Sequence, residues 1–172
     1  FAPHAPYTVS DAPLARIAQL SRELGVRVHT HVNETLDEDP NSVSTYGMTS
    51  LRRLDSLGLL NDRLIAAHMV HLSDDDIATV ALAGSSVVHC PESNLKLASG
   101  FCRVDDLLRA GVNVALGTDG AASNNDLDLL SEMRIAALLS KGVASDAASL
   151  PADEALYLAT MGGARALGLG DE

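Results

Sequence analysis

The sequence has no tryptophan, and aromatic residues make up only 3% of its 172 residues. Hydrophobic residues nevertheless reach 47%, so a core has to be built from leucine, valine, isoleucine and alanine. Aliphatic cores of this kind are typical of parallel α/β proteins. A chain of this length is long enough for one domain with a well-formed core.

Cysteine is also scarce. Two cysteines are too few for a disulfide framework in a chain of 172 residues. Cys90 lies in an apolar run, where we expect a small buried hydrophobic residue. Neither a signal peptide nor an apolar run long enough to span a membrane is visible. We therefore expect a reducing, cytoplasmic environment.

Basic residues are few, with 12 lysines and arginines against 23 acidic residues and a net charge of −11. Nucleic-acid backbones and anionic membrane surfaces attract basic patches. We therefore expect neither a nucleic acid nor a membrane as partner. The acidic residues are spread along the chain, which is typical of a solvated surface.

Helix and strand signals alternate along the chain. Capping residues and helical periodicity predict helices at Ser10–Gly25, Leu51–Gly58, Ser73–Gly84, Val104–Ala110, Leu127–Ser140 and Pro151–Thr160. Short apolar runs predict strands at Val26–Val32, Leu64–Val70, Ser86–Cys90 and Val112–Gly117. A long polar loop is predicted from Pro91 to Gly100.

This alternation indicates βαβ units and a parallel sheet. Right-handed crossovers leave two architectures, a doubly wound open sheet or a (β/α)8 barrel. No glycine-rich dinucleotide-binding motif follows any predicted strand. The run Gly168-Leu169-Gly170 has no strand before it and is therefore no candidate.

A polar residue falls at or near the end of each predicted strand: His31, His68, His89 and Asp119. Strand ends converge on one face of a parallel barrel, so we expect these four side chains to meet there. Taken singly, each has a simpler explanation, either a packed, hydrogen-bonded histidine or an aspartate in a turn. Four together favour a metal site at the mouth of a barrel.

His29 and His31 lie two residues apart and therefore share a strand face. They could hold one metal together, or His31 alone could reach it, with His29 one layer deeper. The second interpretation is favoured because Glu34 gives His31 a functional neighbour. His71, past a strand end, is expected to have a loop or surface role, and spacing alone assigns no role to His4.

The residue types at these positions indicate hydrolytic chemistry. A divalent metal held by histidine and aspartate lowers the pKa of its bound water to near 7. Asp119 suits a carboxylate that contacts the metal and takes the proton, and Glu34 suits protonation of the leaving side of the substrate. His68 suits a hydrogen bond to the developing tetrahedral centre. The residue types leave the substrate open.

Several segments carry a resemblance to a known family. They are Pro3-His4-Ala5-Pro6-Tyr7, His31-Val32-Asn33-Glu34-Thr35, Ala67-His68, the run from His89 to Leu97 and the run from Leu116 to Asn125. In these segments the chain resembles the amidohydrolase superfamily and, within it, the 5′-methylthioadenosine/S-adenosylhomocysteine deaminases. The resemblance covers nearly the whole chain. It implies a partial (β/α)8 TIM-type barrel of the metal-dependent hydrolase kind.

The resemblance also implies roles for five residues. His31 would bind the metal, and Asp119 would bind the metal, activate the water and contact the substrate. Glu34 would contact the purine ring and shuttle a proton, and His68 would orient the water. His4 would reach the thioether or amino-acid end of the substrate. His89 is not a usual ligand in this pattern, so the resemblance removes it from the set of four.

The implied reaction is hydrolytic removal of the 6-amino group of a small adenosine-type thioether nucleoside, with release of ammonia. The implied cofactor is Zn²⁺ or another divalent metal. One alternative is a related amidohydrolase acting on guanine, an oxidised guanine or a triazine. Another is an inactive fragment or a binding domain, because no strand before His4 carries the HxH pair that completes the family's metal site.

The resemblance assigns residues 1–172 to the later part of the barrel, from about the end of strand 4 through strand 8 and its helices. The chain starts at Phe1 without methionine, and we expect it to be a piece of a longer protein. The N-terminal strands and a flanking β domain would lie outside it. Half a barrel leaves two strand edges open, which favours association into a homo-oligomer.

Overall fold

Four parallel strands form one sheet in the computed structural model, which describes residues 1–170. They are β1 Val28–Val32, β2 Leu64–His68, β3 Ser86–His89 and β4 Asn113–Leu116. Each strand pairs with the next one along the chain, in the order β1-β2-β3-β4. A doubly wound sheet reverses its strand order, whereas a (β/α)8 barrel does not. The predicted fold class, part of a barrel, is confirmed.

Helices connect and flank these strands: α1 Asp11–Leu24, α2 Glu38–Tyr46, α3 Ser50–Ser56, α4 Asp74–Ala83, α5 Pro91–Lys96, α6 Val104–Arg109, α7 Leu129–Ala144, α8 Ala152–Tyr157 and α9 Gly163–Leu167. A 3-10 turn at Pro6–Thr8 precedes α1, and a π-helical turn at Leu158–Gly162 joins α8 to α9. Over residues 1–170, no helix has the length and apolar character that a membrane crossing requires.

The core lies between the sheet and the helices. Alternate strand residues, together with apolar helix residues, build it: Leu14, Val28, Val32, Leu54, Leu64, Val80, Val87, Leu107, Val114 and Leu158. The other strand face lines an open cavity of about 350 Å³, whose walls include His29, His31, Ala67 and Val88. One face of the sheet therefore provides stability, and the other provides the site.

The free edge of β1 is covered by the first residues of the chain. The backbone nitrogen of Phe1 donates to the Arg27 carbonyl, and the His29 amide donates to the Phe1 carbonyl, both at 2.9 Å. The His31 amide donates to the His4 carbonyl at 3.0 Å. This is the hydrogen-bond pattern of parallel strands. The expectation of two open edges is therefore corrected, since this segment partly pairs the edge at β1.

Three helices were not predicted from the sequence: α2, α5 and α9, the last of which lies beyond the predicted helix end at Thr160. The segment after β3 was predicted as a loop, but it begins with α5. Pro91 is the first residue of that helix, where its fixed φ and missing N–H cost nothing. Helix α2 was not predicted, because its apolar residues lack helical spacing and Pro40 indicates a break. Pro40 lies in the first turn, where the amide has no helical partner in any case.

The strands are shorter than predicted. β2 ends at His68 and not at Val70, because His68 and Met69 have φ angles of 73° and 46°. Such left-handed backbone cannot continue a strand. The predicted helix start at Ser73 is confirmed by a capping box, since the Ser73 hydroxyl accepts from the Asp76 amide while the Asp76 carboxylate accepts from the Ser73 amide.

Candidate metal and catalytic site

Three side chains from three strand ends converge. His31 lies near the end of β1, His68 ends β2 and Asp119 follows β4. Their ligand atoms all lie within 4.8 Å of one another. His31 Nε2 is 3.7 Å from Asp119 Oδ1, and His68 Nε2 is 3.9 Å from Asp119 Oδ2. Imidazole nitrogens and a carboxylate are the donors that Zn²⁺ uses in catalytic sites, so these residues fit a divalent metal.

Left-handed backbone shapes this edge of the sheet. In a regular strand His68 would face the helices, as Leu64 and Ala66 do. With its φ of 73°, the His68 ring instead lies against the carboxylates of Glu34 and Asp119. Asp119 has a φ of 60°, which aspartate tolerates better than most residues. Such outliers concentrate at functional sites.

The ring of His31 is fixed by the segment that covers the edge of β1. His31 Nδ1 lies 2.7 Å from the carbonyl oxygen of His4. A carbonyl only accepts, so Nδ1 carries the proton. In a neutral ring Nε2 is then the nitrogen with the free lone pair; it faces Asp119, and this tautomer is the form that binds a metal through Nε2. The His4 ring packs edge-on against the His31 ring, with centroids 4.7 Å apart.

His68 faces two carboxylates. Its Nε2 is 3.8 Å from Glu34 Oε2, close to its 3.9 Å distance from Asp119 Oδ2. Both distances are too long for direct hydrogen bonds. A single water oxygen between them could contact all three groups. His68 is itself 1% exposed, so its ring is held rigidly beside this position.

Asp119 is held as a carboxylate by two hydroxyl groups. Ser93 and Ser123 both donate to its Oδ2, the Ser93 hydroxyl at 2.8 Å. Burial alone would raise the pKa of Asp119, but these hydrogen bonds and one from the Gly120 backbone outweigh it, so the pKa lies below its ordinary value. Oδ1 takes no part in the two hydroxyl hydrogen bonds and faces His31.

The turn after β1 places Glu34. The Glu34 amide donates to Glu38 Oε2 at 3.0 Å, and the Ser99 hydroxyl lies 3.5 Å from Glu34 Oε1. His71 fixes the same corner, since its Nε2 donates to the Ser99 carbonyl at 2.7 Å. The pKa of Tyr7 is raised, first by burial and then by the charges of Glu34 and Glu38, so Tyr7 lies near this carboxylate.

Two histidines of the predicted strands, His89 and His29, lie outside the cluster. The expectation that His89 joins the other three side chains was wrong. β3 is regular up to His89, so this side chain keeps to the helix-facing side, like Val87 two residues earlier. Burial, with a smaller effect of His68, lowers the pKa of His89 to about 3, so it stays neutral. His29 lines the cavity beside His31 without joining the three.

Sequence reasoning missed the residues that support the site. They are Ser93, Asn94, Ser99, Ser123, Asn124 and Glu132. The available signal was their position, because most of them are small polar residues that closely follow a strand end. The family resemblance had indicated that the run from Pro91 to Leu97 lines the pocket, but it gave no residue a role.

The fold and the site together define a class: part of a (β/α)8 barrel with a candidate metal centre at the carboxyl edge of its sheet. The chain belongs to the amidohydrolase family, whose model matches residues 1–172. The resemblance carried by the sequence motifs is thereby confirmed at the level of the family.

Curated relatives extend well beyond this chain. A 5-methylthioadenosine/S-adenosylhomocysteine deaminase of Teredinibacter turnerae is 52% identical over 172 residues, which is 100% of this chain and 39% of that protein. A deaminase of the same name from Pyrococcus abyssi is 48% identical over 168 residues, covering 98% of this chain and 40% of its own length. The chain therefore spans about two fifths of these relatives.

Solved structures share the fold of this chain. An adenosine deaminase from Xanthomonas campestris with bound zinc matches with a TM-score of 0.98 and 59% identity, over 100% of this chain and 39% of that one. The zinc complex of the atrazine chlorohydrolase TrzN from Arthrobacter aurescens TC1 matches with a TM-score of 0.93 and 32% identity, over 99% and 38%. The guanine deaminase of E. coli matches with a TM-score of 0.89 and 32% identity, over 99% and 40%.

Proposed function

We propose that this chain is the later part of the barrel of a zinc-dependent aminohydrolase. Its reaction is the hydrolytic removal of the 6-amino group of 5′-methylthioadenosine or S-adenosylhomocysteine, giving the inosine analogue and ammonia. The observation that carries the proposal is the meeting of His31, His68, Asp119 and Glu34 at one edge of the sheet. The activity belongs to the whole enzyme, of which this chain supplies one part.

His31 and Asp119 are the residues of this chain that would hold the metal. Nε2 of His31 and Oδ1 of Asp119 are 3.7 Å apart and face each other. An HxH pair from the first barrel strand, outside this chain, completes the ligand set in this proposal. When bound, zinc lowers the pKa of the attacking water and polarises the centre that is attacked.

The two carboxylates divide the proton transfers. Asp119 is held ionised by Ser93 and Ser123, and it takes the proton of the attacking water. Glu34 is half-buried and lies beside the same position, so it can carry a proton to the purine ring and then to the departing amino group. Their carboxylate oxygens lie 3.8 and 3.9 Å from His68 Nε2, which keeps both within reach of one reacting centre.

His68 orients the attacking water. Its Nε2 is directed at the position between the two carboxylates, where the tetrahedral centre develops. His4 lies beyond His31 on the exposed rim, edge-on to its ring. From there it can contact the thioether or amino-acid end of the substrate.

The adenosine-type substrate is favoured over the other ring systems. The zinc-containing adenosine deaminase is 59% identical to this chain, against 32% for the guanine deaminase and the triazine enzyme. Because substrate choice within a shared site depends on a few pocket contacts, guanine, oxidised guanine and triazines are the comparison substrates of the test.

The test is ammonia release by the full-length zinc-loaded enzyme. S-adenosylhomocysteine and 5′-methylthioadenosine should be deaminated with a kcat/KM at least about 100-fold above that for guanine or a triazine, a difference that buried polar contacts readily supply. Stoichiometric zinc with turnover of guanine alone would reassign the substrate. Stoichiometric zinc with no turnover of any of these compounds would refute the deaminase assignment.

A further inference from the structure

Glu132 of α7 is completely buried, with 0% exposure, yet it has no cationic partner among residues 1–170. One of its carboxylate oxygens accepts from the side-chain amide of Asn124, and the other accepts from the backbone amide of Glu92 at 3.1 Å. Burying a carboxylate is costly unless it is well hydrogen-bonded. The position of Glu132 is therefore fixed by these two hydrogen bonds, which join two segments that are distant in the sequence.

The two segments carry the residues that hold the site. Glu92 lies in the first turn of α5 and precedes Ser93, whose hydroxyl binds Asp119, and Asn94, whose side-chain oxygen binds His68. Asn124 lies in the loop after β4 and follows Ser123, the second hydroxyl on Asp119. Glu132 thus fixes, from one point outside the site, both segments that orient these two side chains.

The orientation of Asn124 is set by its backbone surroundings. Its Oδ1 accepts from the amides of Asp126 and Leu127, at 3.1 and 2.9 Å. The Nδ2 group must therefore point away from these donors and towards Glu132. Only a side chain that accepts at both ends can satisfy Asn124 and the Glu92 amide together. Glutamate meets this requirement, whereas glutamine would present a donor to one of them.

We infer that Glu132 is a positioning residue for the hydrolytic site, acting through Asn124 and through the first turn of α5 to align Asp119 and His68. The inference rests on the proposed function for its effect on turnover. Burial raises the pKa of Glu132 to about 7, while its hydrogen bonds from the Glu92 amide and the Asn124 side chain act in the opposite direction and favour the carboxylate.

A reciprocal exchange of the two side chains tests this inference. In the full-length zinc enzyme, Glu132→Gln sets donor against donor, and Asn124→Asp sets carboxylate against carboxylate. The double variant restores the pairing, because the introduced glutamine would donate to the introduced aspartate and accept from the Glu92 amide. Outer contacts of this kind typically affect activity by about 10- to 100-fold. We expect each single variant to lower kcat by at least about 10-fold, with KM changed by less than about threefold.

The double variant should recover to within about threefold of the wild-type kcat, where independent effects would multiply to a loss of about 100-fold. The visible absorption spectrum of the Co²⁺-substituted enzyme gives a second readout, since it reports the geometry at Asp119. It should change in both single variants and return in the double variant. Glu23→Gln makes the same chemical change on an exposed part of α1 and should alter nothing.

Three outcomes decide the matter. Single variants that lose thermal stability while keeping wild-type kcat and Co²⁺ spectrum would reduce Glu132 to a structural residue and overturn the inference. A double variant no better than the product of the singles would also overturn it. If the wild-type enzyme deaminates none of the test substrates, but the spectrum changes and recovers as described, the proposed function fails and the inference stands.

A variant with a shorter side chain at position 132 covers the case in which Glu132→Gln does not fold. Glu132→Asp keeps the carboxylate but is one methylene shorter, so it can reach only one of its two partners. Its kcat should fall while its metal content stays stoichiometric. A Glu132→Asp enzyme with wild-type kcat and spectrum would refute the positioning role.

Discussion

The Nδ1 atom of His68 lies 2.8 Å from the Oδ1 atom of Asn94, and both side chains are 1% exposed. The amide oxygen accepts the Nδ1 proton, so the Nε2 atom of a neutral His68 ring is free to face the position between Glu34 and Asp119. Asn94 of α5 therefore determines which ring nitrogen of His68, on the neighbouring strand β2, is available for chemistry.

Replacing Asn94 with alanine should lower kcat by about 10- to 100-fold, the usual cost of losing such an outer partner. The His68 ring would lose the acceptor that sets its tautomer, while the residues expected to bind the substrate stay in place. The KM should accordingly change little. Asn41→Ala, on the exposed surface of α2, is the matched control. An unchanged kcat in the folded Asn94→Ala enzyme would contradict the tautomer assignment.

Glu34→Gln should retain zinc and lose most turnover. The substitution keeps the shape of the side chain but removes its ability to exchange a proton, and positioned general acids and bases contribute about 10²- to 10⁴-fold. Zinc content and kcat should be measured on the same preparation of full-length enzyme. Near-normal turnover in this variant would show that Glu34 is not the proton shuttle.

Asp119→Asn should weaken both metal binding and turnover. The neutral amide is a poorer ligand than a carboxylate and cannot take the proton of the attacking water. It would also meet the Ser93 and Ser123 hydroxyls with a different hydrogen-bonding pattern. Zinc titration in the presence of a competing chelator gives the affinity. Retention of wild-type zinc affinity would remove Asp119 from the ligand set.

The raised pKa of Glu132 predicts that the stability of the protein depends on pH. Burial, with smaller effects of the charges on Glu92 and Asp126, raises its pKa to about 7 in the folded protein, against about 4.3 in an unfolded chain. The folded state therefore binds the Glu132 proton more tightly than the unfolded chain does. The stability gained from this proton is complete below about pH 4.3 and is lost as pH rises through about 7.

The wild-type enzyme should therefore lose up to about 3 kcal/mol of stability relative to Glu132→Gln between about pH 4.5 and about pH 7.5. Urea unfolding of both proteins across this range measures the difference. A constant difference at all pH values would show that the Glu132 carboxyl keeps its ordinary pKa in the folded state.

Gly162 and Gly163 make a matched pair near the end of the chain. A Cβ at Gly162 would clash with the Val114 carbonyl oxygen of β4, whereas a Cβ at Gly163 would meet nothing within 4 Å. Gly162→Ala should destabilise the protein by about 1–3 kcal/mol through overpacking. Gly163→Ala should be neutral or slightly stabilising, because alanine favours a helix. Equal melting temperatures for the two variants would contradict the close contact.

The class of fold and the converging residues were predictable from the sequence, for identifiable reasons. Periodicity and capping residues place the helices and strands, and parallel strands bring their carboxyl ends to one edge. That rule led to His31, His68 and Asp119. It failed for His89, because a strand end tells which edge a residue occupies but not which face its side chain takes.

The supporting contacts were not predictable by the same reasoning. The rotation of His68 into the site accompanies left-handed backbone at His68 and Met69, which the periodicity of the sequence does not reveal. The pairing of Glu132 with Asn124 depends on how α7 packs against the loop after β4. Helix α2 was not predicted because its buried residues are Glu38 and Ser42, which do not form an apolar stripe.

The constant strand order also bears on how the chain folds. Val28 pairs with Leu64, Ile65 with Ser86, and Ser86 with Asn113, so successive pairings join residues 36, 21 and 27 positions apart. The entropy of closing loops of these lengths differs by only about 0.5 kcal/mol. Each strand can dock on the one made just before it, as soon as it leaves the ribosome. The barrel wall is therefore suited to assembly in the order of synthesis, without waiting for distant parts of the chain.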